Sequence, residues 1–366
     1  MTQINLAEIG FSDRERALFA PLSDEGFVPG RVARVDRGMP LVLSAEGSVR
    51  AEPAMHLVRT RGEATSRAVV GDWVALSRPE GHDHAIIEAI LPRSSAFVRQ
   101  DPGEATGEQV VAANVDTVFV VQSVDGRGVN LRRLERELVM AWESGARPLV
   151  VLTKADLAED AGDQRDEAIS VSAGADVVLT SALTGQGIDE LGAYLGPGTT
   201  VALLGASGVG KSTLINRLVG EDVQATAEVR AFDRKGRHTT VARELVLLPG
   251  GGVVIDTPGM RAIALWDAED GIEAAFPEID ALAEACKFAD CRHQTEPGCA
   301  VVEAVESGQV PARRLESYLH LRQELETLAA RQDERAWRQK EHREGKALGK
   351  AIKSFQKQSE KSRGRD

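Results

Sequence analysis

The sequence predicts a multidomain α/β protein, and three observations support this fold class. Short β-type runs separated by turn residues fill positions 28–98, which favours a small barrel. Strands and helices alternate over positions 99–265, as they do in a doubly wound parallel sheet. All cysteines fall within positions 266–330, where helical spacing follows them. We therefore expect a barrel, a central α/β domain and a mostly helical metal-binding domain, with an extension at 1–27 and a basic tail at 331–366.

Composition limits the functional classes to which the chain can belong. It has 366 residues, which suggests two or three domains, and 42% of them are hydrophobic. No uninterrupted apolar run approaches the length of a membrane span, and the first residues lack the pattern of a signal peptide. With 3 cysteines, a disulfide scaffold is not expected. These features predict a soluble, cytoplasmic, monomeric protein that does not act at a membrane.

Charge is distributed unevenly along the chain. The formal net charge of −12 argues against nucleic-acid binding when the chain is taken as a whole. Residues 331–366, however, contain 12 lysines and arginines against 6 acidic residues. A basic tail beside an acidic body favours an arm that binds phosphates, and a solvated helix is the alternative.

Five short apolar runs predict the strands of an OB-type barrel. The runs occupy residues 30–35, 41–43, 68–70, 72–76 and 85–90. Trp73 is expected in the barrel core, and residues 91–107 are interpreted as a linker. Arginines between the runs make the barrel a candidate RNA-binding surface, and a barrel with ordinary solvated charges is the equal alternative. These arginines are Arg31, Arg34, Arg37, Arg50, Arg59, Arg61 and Arg67.

A phosphate-binding loop is the clearest motif. The apolar run 201–204 leads into a glycine-rich segment, and helical spacing follows over 213–218. Such a loop needs this context, because its N–H groups turn inward around a phosphate and the helix N-terminus adds positive charge. We expect Lys211 to contact the β- and γ-phosphates and the Ser212 hydroxyl to bind Mg²⁺. The predicted phosphate-binding residues are Gly205, Ala206, Ser207, Gly208, Val209, Gly210, Lys211, Ser212 and Thr213.

Residues upstream of this loop predict which base is bound. The apolar run 148–152 leads to Asp156, whose carboxylate can accept hydrogen bonds from N1 and N2 of guanine. Adenine offers no such pair of donors, and an unpaired buried carboxylate would reject it. A second apolar run, 177–179, ends beside a Ser-Ala pair. The predicted base-binding residues are Thr153, Lys154, Asp156, Ser181 and Ala182.

Residues that sense the γ-phosphate are expected downstream of the loop. The strand 253–255 leads to Asp256, expected in the Mg²⁺ shell, and Gly259 is expected at the γ-phosphate. Thr239 and Thr240 lie in a charged segment where the first switch of a GTPase would be, and either can close onto Mg²⁺.

Met260 occupies the position that usually carries a water-orienting glutamine. A thioether cannot orient water, so hydrolysis is expected to be weak without a partner or to use another residue. His238 is the local candidate, and the equal alternative is that it packs or contacts RNA. The candidate catalytic residues are Lys211, His238, Thr239 and Thr240.

These parts occur in an unusual order, because the base-binding motifs precede the phosphate loop. The sequence therefore predicts a circularly permuted GTPase domain, since permutation retains the sheet while moving the termini. It also places the second switch directly before the C-terminal domain.

The three cysteines and one histidine form a compact cluster in the sequence. Cys286, Cys291, His293 and Cys299 follow the spacing C-x4-C-x-H-x5-C. Three thiolates and an imidazole make a closed tetrahedral shell, which predicts one structural Zn²⁺.

Together these motifs resemble the ribosome small-subunit-dependent GTPase A family over roughly residues 28–330. The resemblance implies GTP hydrolysis stimulated by the small ribosomal subunit, contact with its rRNA, and a role in late subunit maturation. It also implies that the four cluster residues bind zinc and that Lys154 and Asp156 contact guanine. Thr153 stands where many GTPases have asparagine. A nucleotide-sensing RNA-binding protein with negligible turnover is the alternative function that Met260 permits.

Overall fold

A computed structural model describes most of the chain. The described residues are 3–36, 39–59, 67–79, 81–82, 84–100, 108–126, 128–220, 244–256 and 268–330. The basic tail and the predicted residues His238, Thr239, Thr240, Gly259 and Met260 lie outside them.

An OB-type barrel of five strands in the described part of the chain confirms the predicted N-terminal fold. The strands pair in the order β1-β2-β3-β5-β4, and β4 pairs back onto β1, so the barrel closes. Only the β3–β5 pair is parallel among these pairings. Helix α1 (Asp13–Ser23) precedes the barrel and α2 (Met55–Arg59) follows its third strand. The strands are β1 (Val28–Asp36), β2 (Met39–Ser44), β3 (Gly47–Pro53), β4 (Trp73–Ser77) and β5 (Ala85–Ile90).

One sequence-based strand assignment in the barrel is wrong, and one strand was missed. Residues 68–70 are apolar but form a turn, in which Val70 is buried and Gly71 adopts a φ of 93°. Strand β3 has no clear hydrophobic pattern, because Ala51 is its single buried residue.

The two faces of β4 contribute to different cores. Val74 and Leu76 pack inside the barrel with Ile87. Trp73 points the opposite way, where its ring lies 4.9 Å from the ring of Phe11 and joins a cluster that continues into the central domain. The prediction that Trp73 is a barrel-core residue is therefore wrong, although its side chain is buried.

A hairpin joins the barrel to the central sheet. Strand β6 (Ala96–Gln100) pairs antiparallel with β7 (Glu108–Ala113), and Phe97 is buried beneath them. The linker interpretation is thus wrong for residues 96–100, and the expected domain boundary at 98/99 falls inside β6.

The central domain is a doubly wound sheet, as predicted. Its strands are arranged in the order β10-β9-β8-β11-β13-β12, and each neighbouring pair is parallel except β13–β12. Because five of the strands run parallel, their carboxyl ends meet at one edge of the sheet. The strands are β8 (Thr117–Ser123), β9 (Arg147–Thr153), β10 (Asp176–Leu179), β11 (Thr200–Leu204), β12 (Glu244–Leu247) and β13 (Val253–Asp256).

Helices cover both faces of this sheet. Helices α3 (Leu131–Glu143) and α4 (Ala161–Ile169) pack on the face that presents Val118 and Val120. Helices α5 (Ile188–Gly192) and α6 (Lys211–Val219) pack on the opposite face. Burying each leucine of these faces contributes roughly 1.5–3 kcal/mol, so both layers stabilise the sheet.

The N-terminal extension bridges the barrel and the central domain. The Arg31 guanidinium donates hydrogen bonds to the carbonyls of Ile9, Gly71 (3.3 Å) and Asn114 (3.0 Å), which belong to three different segments. Burial lowers the pKa of Arg31 to about 10, so the side chain stays charged at neutral pH. The prediction that Arg31 belongs to an exposed RNA-binding surface is therefore wrong.

The C-terminal domain is mostly helical, as predicted, and packs on α3. Its helices are α7 (Glu269–Ala275), α8 (Pro277–Ala283), α9 (Ala300–Glu306) and α10, which covers residues 312–330. Helix α7 crosses α3 closely, because a side chain at Gly271 would meet the Val139 carbonyl at 2.5 Å. Within the described residues, no helix is both long and apolar enough to span a membrane.

Candidate functional site

The glycine-rich loop between β11 and α6 has the backbone geometry that the sequence predicts. Gly205, Gly208 and Gly210 have φ values of 148°, 79° and 98°, a region that favours glycine. A side chain at Gly205 would also meet the Val121 carbonyl at 2.4 Å. Among the described residues, no side chain caps the start of α6 at Gly210, which leaves the helix N-terminus suited to an anion.

The polar side chains of this loop lie where the sequence predicts that a phosphate binds. Lys211 Nζ donates to the carbonyls of Gly205 (2.7 Å) and Ala206 (2.6 Å), which holds the ammonium over the loop. Ser212 and Thr213 are exposed in the first turn of α6, beside the exposed loop residues Ser207 and Gly208. Asp256 ends β13 at the same edge of the sheet.

Thr153 links the base-binding segment to the phosphate loop. Its side chain is 5% exposed, and its hydroxyl lies within hydrogen-bonding distance of the carbonyls of Val209 and Gln122. One hydroxyl proton serves one acceptor at a time, so the Val209 contact is the one that reaches the loop. Many GTPases have asparagine at this position, and Thr153 makes its contact with the Val209 carbonyl through a hydroxyl alone.

The two predicted base-binding segments are brought together. Ser181 donates its hydroxyl proton to Asp156 Oδ1 at 2.5 Å, and Thr184 N donates to the Ser181 oxygen at 3.1 Å. Ser181 is fully buried, whereas Ala182 is partly exposed beside it. The hydrogen bond from Ser181 fixes the orientation of the carboxylate that is predicted to bind guanine.

Two acidic residues of this region were missed by sequence reasoning. Asp125 follows β8, and its Oδ2 lies 3.1 Å from Lys154 Nζ. Glu137, on α3, accepts a hydrogen bond from Gln122 Nε2 at 2.5 Å. Burial raises the pKa of Glu137 to about 7. The hydrogen bond from Gln122 and the charges of Arg133 and Lys211 lower this pKa, but burial outweighs them.

The sulfur and nitrogen atoms of the predicted metal cluster converge. The ligand atoms of Cys286, Cys291, His293 and Cys299 all lie within 4.8 Å of one another. The Cys286 and Cys299 sulfurs are 3.8 Å apart, and His293 Nδ1 lies 3.6 Å and 3.4 Å from them. Tetrahedral zinc requires about 3.8 Å between sulfurs and about 3.5 Å between sulfur and nitrogen, given its usual bond lengths. Cys286, His293 and Cys299 already have these separations, so the cluster is compatible with zinc.

The surroundings of the cluster favour the ligand forms of His293 and Cys286, whereas burial raises the pKa of Cys291 to about 11. Burial lowers the pKa of His293, which keeps the ring neutral. Burial raises the pKa of Cys286, but hydrogen bonds from the N–H groups of Ala300 and Val301 outweigh it, and the net shift is downward. The Tyr318 ring lies 6.1 Å from the ring of His293 and covers it from α10.

The basic residues proposed for RNA binding are only partly available. Arg34 and Arg50 both contact the Asp36 carboxylate, at 2.6 Å and 3.1 Å. Arg67 is exposed. Arg37 and Arg61, like the side chain of Arg59, lie outside the described part of the chain.

Comparisons with known proteins agree with this architecture. The model of a family described as RsgA GTPase matches residues 90–266. A relative from Streptomyces coelicolor, named small ribosomal subunit biogenesis GTPase RsgA, is 45% identical over 95% of this chain and 94% of its own length. The crystal structure of YjeQ from Thermotoga maritima is 29% identical, with a TM-score of 0.62 over 82% of this chain and 98% of that chain. The structure of YloQ, described as a circularly permuted GTPase, is 24% identical and has the same fold, with a TM-score of 0.57 over 84% of this chain and 96% of that chain.

Proposed function

Because this chain belongs to the RsgA GTPase family, we propose that it hydrolyses GTP to GDP and phosphate on the small ribosomal subunit during late maturation of that subunit. Relatives that match most of its length carry the name small ribosomal subunit biogenesis GTPase. The proposal includes a cytoplasmic location and a monomeric protein that works without a membrane.

The observation that carries this proposal is the convergence of base-binding and phosphate-binding residues at one edge of the sheet. The Thr153 hydroxyl contacts the carbonyl of Val209 in the phosphate loop, and Asp156 lies three residues further along the chain. Ser181 fixes Asp156 from the end of the neighbouring strand β10. A guanine held at Asp156 and phosphates held in the loop would thus share one rigid platform.

The phosphate loop supplies the charge that phosphate transfer to water requires. We propose that Lys211 exchanges its two carbonyl acceptors for oxygens of the β- and γ-phosphates. Ser212, Asp256 and one of Thr239 and Thr240 would hold Mg²⁺, which neutralises charge on the phosphates when it is bound.

Orientation of the attacking water is assigned to a residue other than Met260. The thioether of Met260 cannot hydrogen-bond and orient a water molecule as a glutamine amide can. We propose that His238 orients the water and that Gly259 senses the γ-phosphate. Turnover would then remain slow until binding to the small subunit positions His238.

Zinc is assigned a structural role. The proposed ligands, Cys286, Cys291, His293 and Cys299, fill a tetrahedral shell and leave no position for water. When bound, the metal would hold together the loop between α8 and α9. Ribosomal RNA would contact exposed barrel residues such as Arg67 and the basic tail, whose charge favours phosphate.

Replacement of Asp156 by asparagine tests the assigned base pocket. Asparagine presents a donor towards guanine N1–H, so GTP affinity should fall by about 2–4 kcal/mol, the scale of a buried charged hydrogen bond. Xanthine carries an oxygen at C2, so xanthosine triphosphate should bind the variant better than it binds the wild type. The two nucleotides are titrated into each protein, and unchanged GTP affinity in Asp156→Asn would place the base elsewhere.

Turnover measured with and without small ribosomal subunits separates the two functions. If the protein is a GTPase, hydrolysis should be slow alone, and its rate should rise when subunits are added. The alternative, a nucleotide-sensing RNA-binding protein, is permitted by the presence of Met260. That alternative predicts nucleotide-dependent binding to the subunit with turnover that stays negligible in its presence.

A further inference from the structure

We propose that Asp125 is a positioning residue that holds the side chain of Lys154 beneath the bound nucleoside. Asp125 belongs to none of the motifs that define the site. The proposal rests on the guanine-nucleotide function proposed above, because it assigns a task within that pocket.

Strand pairing brings the two residues side by side. Ser123, the last residue of β8, is in register with Thr153, the last residue of β9. The pairing continues by one residue, because Val124 N donates to the Thr153 carbonyl at 3.0 Å. Lys154 therefore lies opposite Val124, and Asp125 is the next residue along that strand, so the backbone brings the carboxylate within reach of the lysine side chain.

The lysine side chain is directed back across the sheet by a sharp turn. Lys154 has a φ of 62°, a left-handed conformation that is strained for a residue other than glycine. Its Nζ reaches Asp125 Oδ2 at 3.1 Å, and the Ser123 hydroxyl contacts the same oxygen at 3.3 Å. The Lys154 and Asp125 side chains are 30% and 18% exposed, so the pair is sheltered but open to the pocket.

The direction of this side chain matches the path of a nucleoside. Strand β8 lies between β9, which leads to Asp156, and β11, which leads to the phosphate loop. Neighbouring strands are about 4.8 Å apart, so the base pocket and the phosphate loop are separated by roughly 10 Å. A nucleoside that joins them must pass over the end of β8, where Asp125 holds the Lys154 methylenes.

Holding the lysine before the nucleotide arrives reduces the entropy that binding must remove. A free lysine side chain loses rotamer freedom when it is immobilised in a complex, and this loss of entropy opposes binding. Without Asp125, the Lys154 side chain would no longer be held at the end of β8 before the nucleoside binds. We therefore expect Asp125 to strengthen binding of ligands that contain a nucleoside and to leave binding of phosphates alone unchanged.

The experiment compares GDP with inorganic pyrophosphate as calorimetric probes of the full-length protein. Asp125→Asn should weaken GDP binding by about three- to fivefold, the range of a partly exposed ion pair, and leave pyrophosphate binding unchanged. The matched control is Asp176→Asn, which removes a carboxylate bound to Arg147 and Tyr194 at the opposite edge of the sheet. That control should leave both ligands unaffected.

A double-mutant cycle shows whether Asp125 acts through Lys154. Lys154→Met retains the methylenes and removes the ammonium, so Asp125→Asn should have no additional effect in that background. The effect of Asp125→Asn should also shrink at high salt, because the pair is partly solvated. Asp125→Glu should restore most of the lost affinity.

The outcomes separate this inference from the function on which it rests. If the wild type fails to bind GDP, the proposed function is wrong. If the wild type binds GDP and Asp125→Asn binds it equally well, the function stands and the positioning role is refuted. Additive effects of Asp125→Asn and Lys154→Met would refute it as well, since the two side chains would then act independently.

Discussion

The buried cation of α10 offers a sharp test of how the C-terminal domain is attached. Arg314 donates to Glu135 on α3 at 2.7 Å and to Glu278 on α8 at 2.7 Å. It also donates to the Ala275 carbonyl at 2.9 Å and lies 4.2 Å from the centre of the Phe276 ring. One side chain therefore connects three helices of the C-terminal domain to α3. We predict that Arg314→Leu detaches this domain from the GTPase sheet.

The size of the effect follows from burial. The side chains of Arg314 and Glu135 are 3% and 1% exposed, so the variant leaves a carboxylate without its cation in a dry environment. Removing one partner of a buried pair typically destabilises a protein by about 3–5 kcal/mol. Glu278 is 38% exposed and can be rehydrated, so the loss should come mainly from Glu135. The double variant Arg314→Leu/Glu135→Gln should recover a large part of the loss, since the orphaned charge is gone.

Denaturant unfolding and hydrogen exchange measure the two parts of this prediction. The free energy of unfolding should fall by about 3–5 kcal/mol, and exchange should accelerate over residues 269–330 before it does in the central sheet. The control is Arg132→Leu, which breaks the pair with Glu316 between the same two helices, where the side chains are 74% and 65% exposed. It should change stability by less than about 1 kcal/mol. Equal effects of the two variants would refute the reasoning, because burial would then not decide the contribution.

Two further predictions concern the metal cluster and the buried acid of α3. Cys291→Ser should lose zinc, and its hydrogen exchange should be faster over residues 280–330, whereas GTP should still bind. Metal analysis and calorimetry measure the zinc content and the GTP binding. Purified wild-type protein without zinc would contradict the assignment. Glu137 has a pKa raised from 4.5 to about 7, so the folded state binds the extra proton and stability should fall as pH rises from about 4.5 to 7. Glu137→Gln should remove this pH dependence, and above pH 7 its free energy of unfolding should exceed that of the wild type by up to about 3 kcal/mol. Denaturant unfolding at several pH values measures this difference. Parallel pH profiles for the two proteins would contradict the prediction.

Local motifs could be predicted from the sequence because backbone geometry determines them. The phosphate loop needs glycines at fixed spacing, and those glycines adopt the positive φ values that only small residues tolerate well. The metal cluster was equally accessible, because its four residues lie within one short segment. Strand β3 was missed for the opposite reason: it buries Ala51 alone and therefore lacks the alternation that identifies a strand.

Contacts between distant segments could not be predicted in the same way. Glu135 and Arg314 are 179 positions apart, and nothing in the sequence near either residue indicates the other. Asp125 and Glu137 carry no motif, and their importance appears only when β8, β9 and α3 are assembled. Trp73 and Arg31 were assigned to the wrong environments because a barrel strand has two faces, and the sequence does not say which face another domain covers.

The hydrogen bonds of the Glu8 carbonyl join the first residues of the chain to a segment that is synthesised much later, so folding cannot be completed until that segment has been made. The carbonyl accepts hydrogen bonds from Gly198 N at 2.9 Å and Gly252 N at 3.1 Å, in the turns that begin β11 and β13. Residues 8 and 252 are 244 positions apart, which the ribosome covers in about 12–50 s at ordinary rates of translation. From the synthesis of Trp73 until β13 is made, the nascent barrel presents Trp73 and Phe11 without the central sheet that later covers them. Chains halted before residue 250 should therefore bind chaperones, and release of the chaperone should coincide with emergence of β13.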